Sequence, residues 1–205
     1  MPESSRRNFL LSGLAVPVAA SAARPPADDQ KHAAPLRPPA SPELHYRTLG
    51  KTGLKVTSVG FGCMITSDAS VIERAADIGI TYFDTARVYQ SGNNERMVGA
   101  ALKGKRNGIT LSSKTPSKTK EAALADLDTS LRELGTDRLD IWYLHAKTKP
   151  SEVTDELIDA QQTAKKAGKI RFAGVSTHSG QAELIPALTA NPANSVFTRI
   201  IPARA

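Results

Sequence analysis

Four side chains stand out as a set able to move a proton: Asp84, Tyr89, Lys114 and His145. Three of them directly follow a short apolar, β-branched or aromatic run. Asp84 follows Ile80-Thr81-Tyr82-Phe83, Lys114 follows Leu111-Ser112-Ser113, and His145 follows Ile141-Trp142-Tyr143-Leu144; Tyr89 comes five residues after Asp84. In parallel α/β folds the carboxyl ends of the strands open onto one crevice, so side chains just past each strand converge there. An acid, a phenol, an ammonium and an imidazole on one face form a proton-transfer set. Taken singly, each has a plainer reading: a turn or cap carboxylate, a half-buried loop aromatic, a solvated lysine and a hydrogen-bonded histidine.

The elements that must carry these residues recur regularly. Short strand-like runs occupy Lys55–Gly60, Ile80–Phe83, Ile109–Ser112, Leu139–Leu144 and Ile170–Val175, and their starts lie 25, 29, 30 and 31 residues apart. That is the length of one strand, one helix and two short loops, which predicts βα units around a parallel sheet. Glu121 to Leu134 carries Leu124, Leu127, Leu131 and Leu134 on one helical face and stops at Gly135. Ser151 is the expected N-cap of a helix over Glu152–Ala167, and further helices are expected at Ala69–Ile78, Asn94–Leu102 and Gln181–Leu188. Five units are visible, with the start of a sixth strand at Val196–Ile201. Spacing alone fits either an open doubly wound sheet or the front of a (β/α)8 barrel. Gly60-Phe61-Gly62 is only a fragment of a dinucleotide-binding fingerprint, which speaks against a Rossmann domain.

Ahead of these units the chain has a different character. Ser5-Arg6-Arg7-Asn8-Phe9-Leu10 leads into an apolar run ending near Ala20-Ser21-Ala22, so residues 1–23 resemble a bacterial twin-arginine export signal. The run is short for a bilayer span and no cysteine follows it, so no stable membrane anchor is expected. Export by the twin-arginine machinery to the periplasm is the expected route. Residues 24–43 form a Pro-rich spacer, seven of the 13 prolines lying between Pro17 and Pro42, and the folded part is expected over residues 44–205. The single cysteine, Cys63, excludes an intramolecular disulfide and a cysteine-based zinc site, and no metal is expected. The net charge of +7 is spread along the chain with only 5% aromatic residues, which favours a solvated basic surface over a nucleic-acid partner.

Gly79-Ile80-Thr81-Tyr82-Phe83-Asp84-Thr85-Ala86-Arg87-Val88-Tyr89, with Gly92, Asn94-Glu95 and Gly99 after it, resembles the signature of the aldo/keto reductases. Ser112-Ser113-Lys114-Thr115, the stretch Leu131 to Asp140 running into Tyr143-Leu144-His145, and Lys169-Ile170-Arg171 before Gly174-Val175-Ser176 repeat that family's later blocks in order. The resemblance implies a (β/α)8 barrel, here with five to six units, and NADP(H)-dependent reduction of a small carbonyl substrate. It assigns Tyr89 as general acid, Lys114 as the ammonium that stabilises its phenolate, Asp84 as the partner that keeps Lys114 charged, and His145 as a hydrogen-bond partner of the carbonyl oxygen. It also places Ser176 and Thr177 against the nicotinamide amide, with Gly62, Cys63, Met64 and Asp84 beside the cofactor.

The sequence departs from the family pattern at three places. Thr177 stands where the common pattern has Asn, Gln90 stands where this branch usually has Gly, and past Ala193 the chain shows at most the beginning of a sixth strand. The expectation is therefore a C-terminally truncated barrel. Three functions compete: a carbonyl reductase, an inactive remnant, and a nucleotide-binding regulatory subunit without turnover. For the leader the test is direct: replacing Arg6 and Arg7 by lysine should leave the protein in the cytoplasm. Undiminished periplasmic recovery of the double variant on cell fractionation would point to another export route.

Overall fold

The computed structural model describes residues 43–190. The leader, the spacer up to Pro42 and the Val196–Ile201 run lie outside the described residues. The described chain opens with an antiparallel hairpin, β1 (Tyr46–Thr48) against β2 (Lys55–Thr57), paired Tyr46 to Thr57 and Thr48 to Lys55. It then alternates strand and helix: β3 (Phe61–Gly62), α1 (Ala69–Asp77), β4 (Tyr82–Asp84), α2 (Asn93–Ala101), β5 (Thr110–Thr115), α3 (Lys120–Leu134), β6 (Leu139–Leu144), α4 (Asp155–Lys166), β7 (Ile170–Val175) and α5 (Gln181–Thr189).

The sheet order is β3-β4-β5-β6-β7, every pair parallel and every strand beside its neighbour in sequence. An open doubly wound sheet reverses its order at a switch point, whereas strands laid down in chain order are the connectivity of a (β/α)8 barrel. The described residues supply five such units.

The first expected strand is corrected. Lys55–Gly60 does not enter the parallel sheet; Lys55–Thr57 is the second arm of the hairpin, and Phe61–Gly62 is the first parallel strand. Leu54 and Val56 lie inside and Lys55 outside, while Thr57 is covered where it meets Thr81. That is the pattern of a strand with one wet face, not of a parallel strand covered on both. Leu54 and Val56 pack on Ile141 and Tyr143, with Tyr82 and Phe172 at the margin, so the hairpin fills the inside of the barrel. The Thr57 and Thr81 side chains fasten it to the start of β4 through reciprocal bonds of 2.9 and 3.1 Å to each other's backbone N–H.

A second, larger apolar layer lies between sheet and helices. Phe83, Leu111, Trp142, Leu144 and Val175 of the strands meet Ile72, Val98, Leu127 and Leu157 of the helices. Helix α3 begins where the Thr119 hydroxyl accepts the Ala122 N–H at 3.3 Å and ends at Gly135, whose φ of 63° is the left-handed cap. The expected cap Ser151 is also corrected. Pro150–Glu152 forms a separate 3-10 turn whose Glu152 carboxylate accepts the Thr148 N–H at 2.6 Å, so α4 starts later, on Thr154.

Helix α2 packs tightly against the end of α3 at Gly99. A Cβ there would stand 2.7 Å from the Leu134 carbonyl oxygen and 2.8 Å from that of Glu133, backbone atoms that cannot swing aside. Gly99→Ala should therefore destabilise the fold by about 1–3 kcal/mol, seen as a lowered Tm. Gly108→Ala, where a Cβ meets nothing within 4 Å, should leave Tm close to that of the parent.

Candidate active site

Side chains along a strand point alternately to its two faces. On β4 and β5, Phe83 and Leu111 lie in the outer layer, while Tyr82, Asp84, Ser112 and Lys114 hydrogen-bond with one another on the inner side. The register sets Asp84 beside Ser112, Ser112 beside Ile141, and Lys114 beside Tyr143. Asp84 ends β4, Lys114 is the fifth of the six residues of β5, and His145 is the first residue past β6. Tyr89 opens a 3-10 turn, Tyr89–Gly92, in the loop after β4.

The Lys114 side chain is 1% exposed, and an ammonium withdrawn from water needs an acceptor for each of its three N–H groups. It has three. Nζ donates to Asp84 Oδ2 at 2.5 Å, to the Thr85 carbonyl at 2.7 Å and to the Tyr89 hydroxyl oxygen at 3.1 Å. Because the Tyr89 oxygen accepts from Lys114, the Tyr89 proton is left to point elsewhere. Burial pushes the Asp84 carboxyl pKa up, while the Lys114 ammonium and the Ser112 hydroxyl draw it back down. The His145 ring stands edge-on to Tyr89, centroids 5.7 Å apart at 77°. Burial, with the positive charges of Lys114, His178 and Lys147, lowers the His145 pKa from 6.5 to about 4, so the imidazole is neutral at pH 7.

The Tyr89 loop is pinned from behind. Thr85 Oγ1 donates to Asn94 Oδ1 at 2.6 Å, and Asn94 Nδ2 donates to the Cys63 carbonyl at 2.8 Å. Arg87 forms an ion pair with the fully buried Glu95 and also donates to the Gly92 carbonyl at 3.1 Å; Glu95 Oε1 accepts from Ser113 at 2.6 Å. Gln90 and Ser91 take φ of 50° and 54°, the left-handed region that favours glycine. The Gln90 side-chain amide, donating to the Thr66 carbonyl at 2.6 Å, holds it there. Arg87, Asn94, Glu95, Ser112 and Ser113 carried no assigned role in the sequence reading. Period-two counting back from Asp84 and Lys114 reaches Tyr82 and Ser112; Asn94 and Glu95 are buried polar residues whose partners only the fold reveals.

The cofactor candidates divide. Gly62 is exposed, with open space where a Cβ would stand, and Met64 is 49% exposed. Cys63 is different: its side chain is wholly buried in the outer core, and burial pushes its thiol pKa up to about 12. Its side chain therefore packs the core, within reach of the charges of Asp84 and Lys114. Ser176 and Thr177 are buried just past β7. Ser176 Oγ accepts the Ala146 N–H at 2.9 Å, which leaves its own proton to give, while Thr177 Oγ1 donates to the Ser179 carbonyl at 2.5 Å and keeps a lone pair to receive one. One donor beside one acceptor suits a primary carboxamide. Among the described residues no His, Cys, Asp and Glu group is placed to hold a metal, and no helix is long and apolar enough to cross a membrane.

Comparison with known proteins bears on this arrangement. The profile of the aldo/keto reductase family matches residues 65–196. The chain is 35% identical over 155 residues to the uncharacterized oxidoreductase YqkF of Bacillus subtilis, covering 65% of this chain and 49% of that protein. It superposes on aldo-keto reductase AKR11C1 from Bacillus halodurans, holo form, with a TM-score of 0.68 and 30% identity, covering 77% of this chain and 57% of that one. An aldo/keto reductase from Klebsiella pneumoniae in complex with NADP and acetate matches with a TM-score of 0.61 and 27% identity, over 71% and 54% of the two chains. The chain spans about half the length of the curated relatives it matches.

The His145 environment makes a pH prediction. The unfolded chain takes up the imidazole proton near 6.5 and the folded chain only near 4. The unfolded state therefore binds more protons between those values, and this contribution to stability is lost as the pH falls through them. Proton NMR should show a His145 midpoint near 4, and His145→Gln should lose less stability than the parent between pH 6.5 and 4. A midpoint near 6.5 would mean that the ring is solvated.

Proposed function

As the chain belongs to the aldo/keto reductase family, we propose that it reduces aldehydes or ketones to alcohols with NADP(H), Tyr89 serving as the general acid. The observation that carries this reading is the 3.1 Å bond from the buried Lys114 ammonium to the Tyr89 hydroxyl oxygen. Reduction of a carbonyl leaves negative charge on its oxygen, and that oxygen must take a proton as the charge develops. Tyr89 has its proton free to give, and the charge left on the phenolate falls directly on an N–H of Lys114. Asp84 and the Thr85 carbonyl hold the other two N–H groups, so the ammonium does not rotate away. His145, neutral and in T-shaped contact with Tyr89, would donate one N–H to the same carbonyl oxygen.

Reduced nicotinamide supplies the hydride that the carbonyl carbon accepts. Ser176 and Thr177 would hold its carboxamide through the donor and acceptor they present, with Gly62 leaving room and Met64 offering an apolar edge. Complexes with NADP and with NADPH among the structural neighbours support the choice of cofactor. Export through the twin-arginine pathway is part of the same proposal and fits a protein that folds around a cytoplasmic cofactor before it leaves.

The test is NADPH oxidation by the purified full chain against a panel of aldehydes and ketones, with NADPH binding followed by fluorescence. Tyr89→Phe should cut kcat by about 10²–10⁴ while the affinity for NADPH stays unchanged. Turnover that survives Tyr89→Phe would assign the acid elsewhere, and NADPH binding without turnover on any carbonyl would favour a regulatory subunit.

A further inference from the structure

Inside a (β/α)8 barrel, branched apolar side chains usually fill the space below the site. Here Leu54, Val56 and Ile141 share that interior with a row of hydroxyl groups leading to Asp84. The Tyr143 hydroxyl lies 3.1 Å from that of Tyr82, which lies 3.1 Å from Ser112 Oγ, which in turn lies 2.5 Å from Asp84 Oδ1. The other oxygen of that carboxylate receives Lys114 at 2.5 Å, and Lys114 reaches the Tyr89 hydroxyl at 3.1 Å. Six side chains from β4, β5, β6 and the Tyr89 loop form one unbroken line.

The direction of that line follows from its charge. An ionised carboxylate only accepts, so the Ser112 proton goes to Asp84; the alternative acceptor, the Phe83 carbonyl, is 3.4 Å away. Ser112 then accepts from Tyr82, and Tyr82 accepts from Tyr143. Burial pushes the Tyr82 hydroxyl pKa well up, which keeps it a donor at any working pH. Hydrogen bonds pointing the same way polarise and strengthen one another. Without the donor at Oδ1, rotation of the carboxylate would carry Oδ2 off the ammonium.

We propose that Ser112, backed by Tyr82 and Tyr143, is a positioning residue that fixes the Asp84 carboxylate and through it the aim of the Lys114 ammonium at Tyr89. The inference rests on the reading of Tyr89 as general acid. It also makes a claim about Asp84 that can be measured without turnover.

The test uses the full chain and two readouts: carboxyl carbon NMR of Asp84 through a pH titration, and kcat and KM for carbonyl-dependent NADPH oxidation. Ser112→Ala removes a hydrogen bond to the ionised form, so the Asp84 midpoint should move to higher pH. The variant should lose about tenfold in kcat, with KM for the carbonyl changed by less than about twofold. Tyr143→Phe, which keeps the ring, should move the midpoint and kcat the same way by less, and Ser112→Thr should restore kcat. A purely structural role would lower Tm and leave the midpoint in place. An unmoved midpoint in folded Ser112→Ala, or in Tyr143→Phe if the first variant does not fold, overturns the proposal. A moved midpoint in a chain that reduces no carbonyl supports the hydroxyl line and overturns the catalytic reading of Tyr89 instead, so the two failures are told apart.

Discussion

The arrangement depends on one demand: an ammonium 1% exposed to water must be given three acceptors. One acceptor is a charge from the neighbouring strand, one is a backbone carbonyl, and one is the Tyr89 hydroxyl. Only the first could be swapped for another side chain without moving the main chain. The second requires the chain to turn straight after β4 so that the Thr85 carbonyl faces inward, and the third requires the loop to fold back over β5. Removing one partner of such a pair leaves a buried charge, at a cost on the order of 3–5 kcal/mol. The geometry around Lys114 is thus enforced by stability as well as by chemistry.

What surrounds the ammonium follows from that demand. A loop that must place a phenol over a lysine cannot be left to find its own shape, and it is tied to α2 by Asn94 and Glu95, both wholly buried. The Arg87 ion pair and the Ser113 hydroxyl saturate Glu95, so its charge acts within the scaffold and is not exposed to the crevice. Two residues at positive φ, Gln90 and Ser91, carry the backbone through the tightest part of the bend. Such strain persists where the surroundings over-determine it, and here polar anchors stand on both sides.

Much of this was legible in the sequence, and what was missed has a physical pattern. Asp84, Lys114 and His145 could be found because parallel strands open onto one crevice, and Tyr89 because it follows Asp84 in the same short loop; the structure brings all four together. The spacing of the runs gave the barrel its period. Lys55–Thr57 misled because a strand run does not declare its partner, and its alternation was the signal that one face would be wet. Ser151 misled because two capping residues three apart compete, and a proline gave the earlier one a turn of its own. A residue past a short strand can face either layer, and one step of parity puts the Cys63 side chain in the core. Ser112 and Tyr82 are ordinary strand residues until the register sets them beside Asp84.

That parity has a consequence for how the gene can change. Every inner residue of β4 and β5 is two steps from the next, so gaining or losing one codon inside Thr110–Lys114 would exchange Ser113 for Lys114 and turn the ammonium into the apolar layer beside α2. The same one-codon change at Lys103 or Gly104 would fall in exposed chain ahead of the strand, where the loop can absorb it. Length variation among descendants of this sequence should therefore gather in the loops below the barrel and stop abruptly at the first paired residue of each strand.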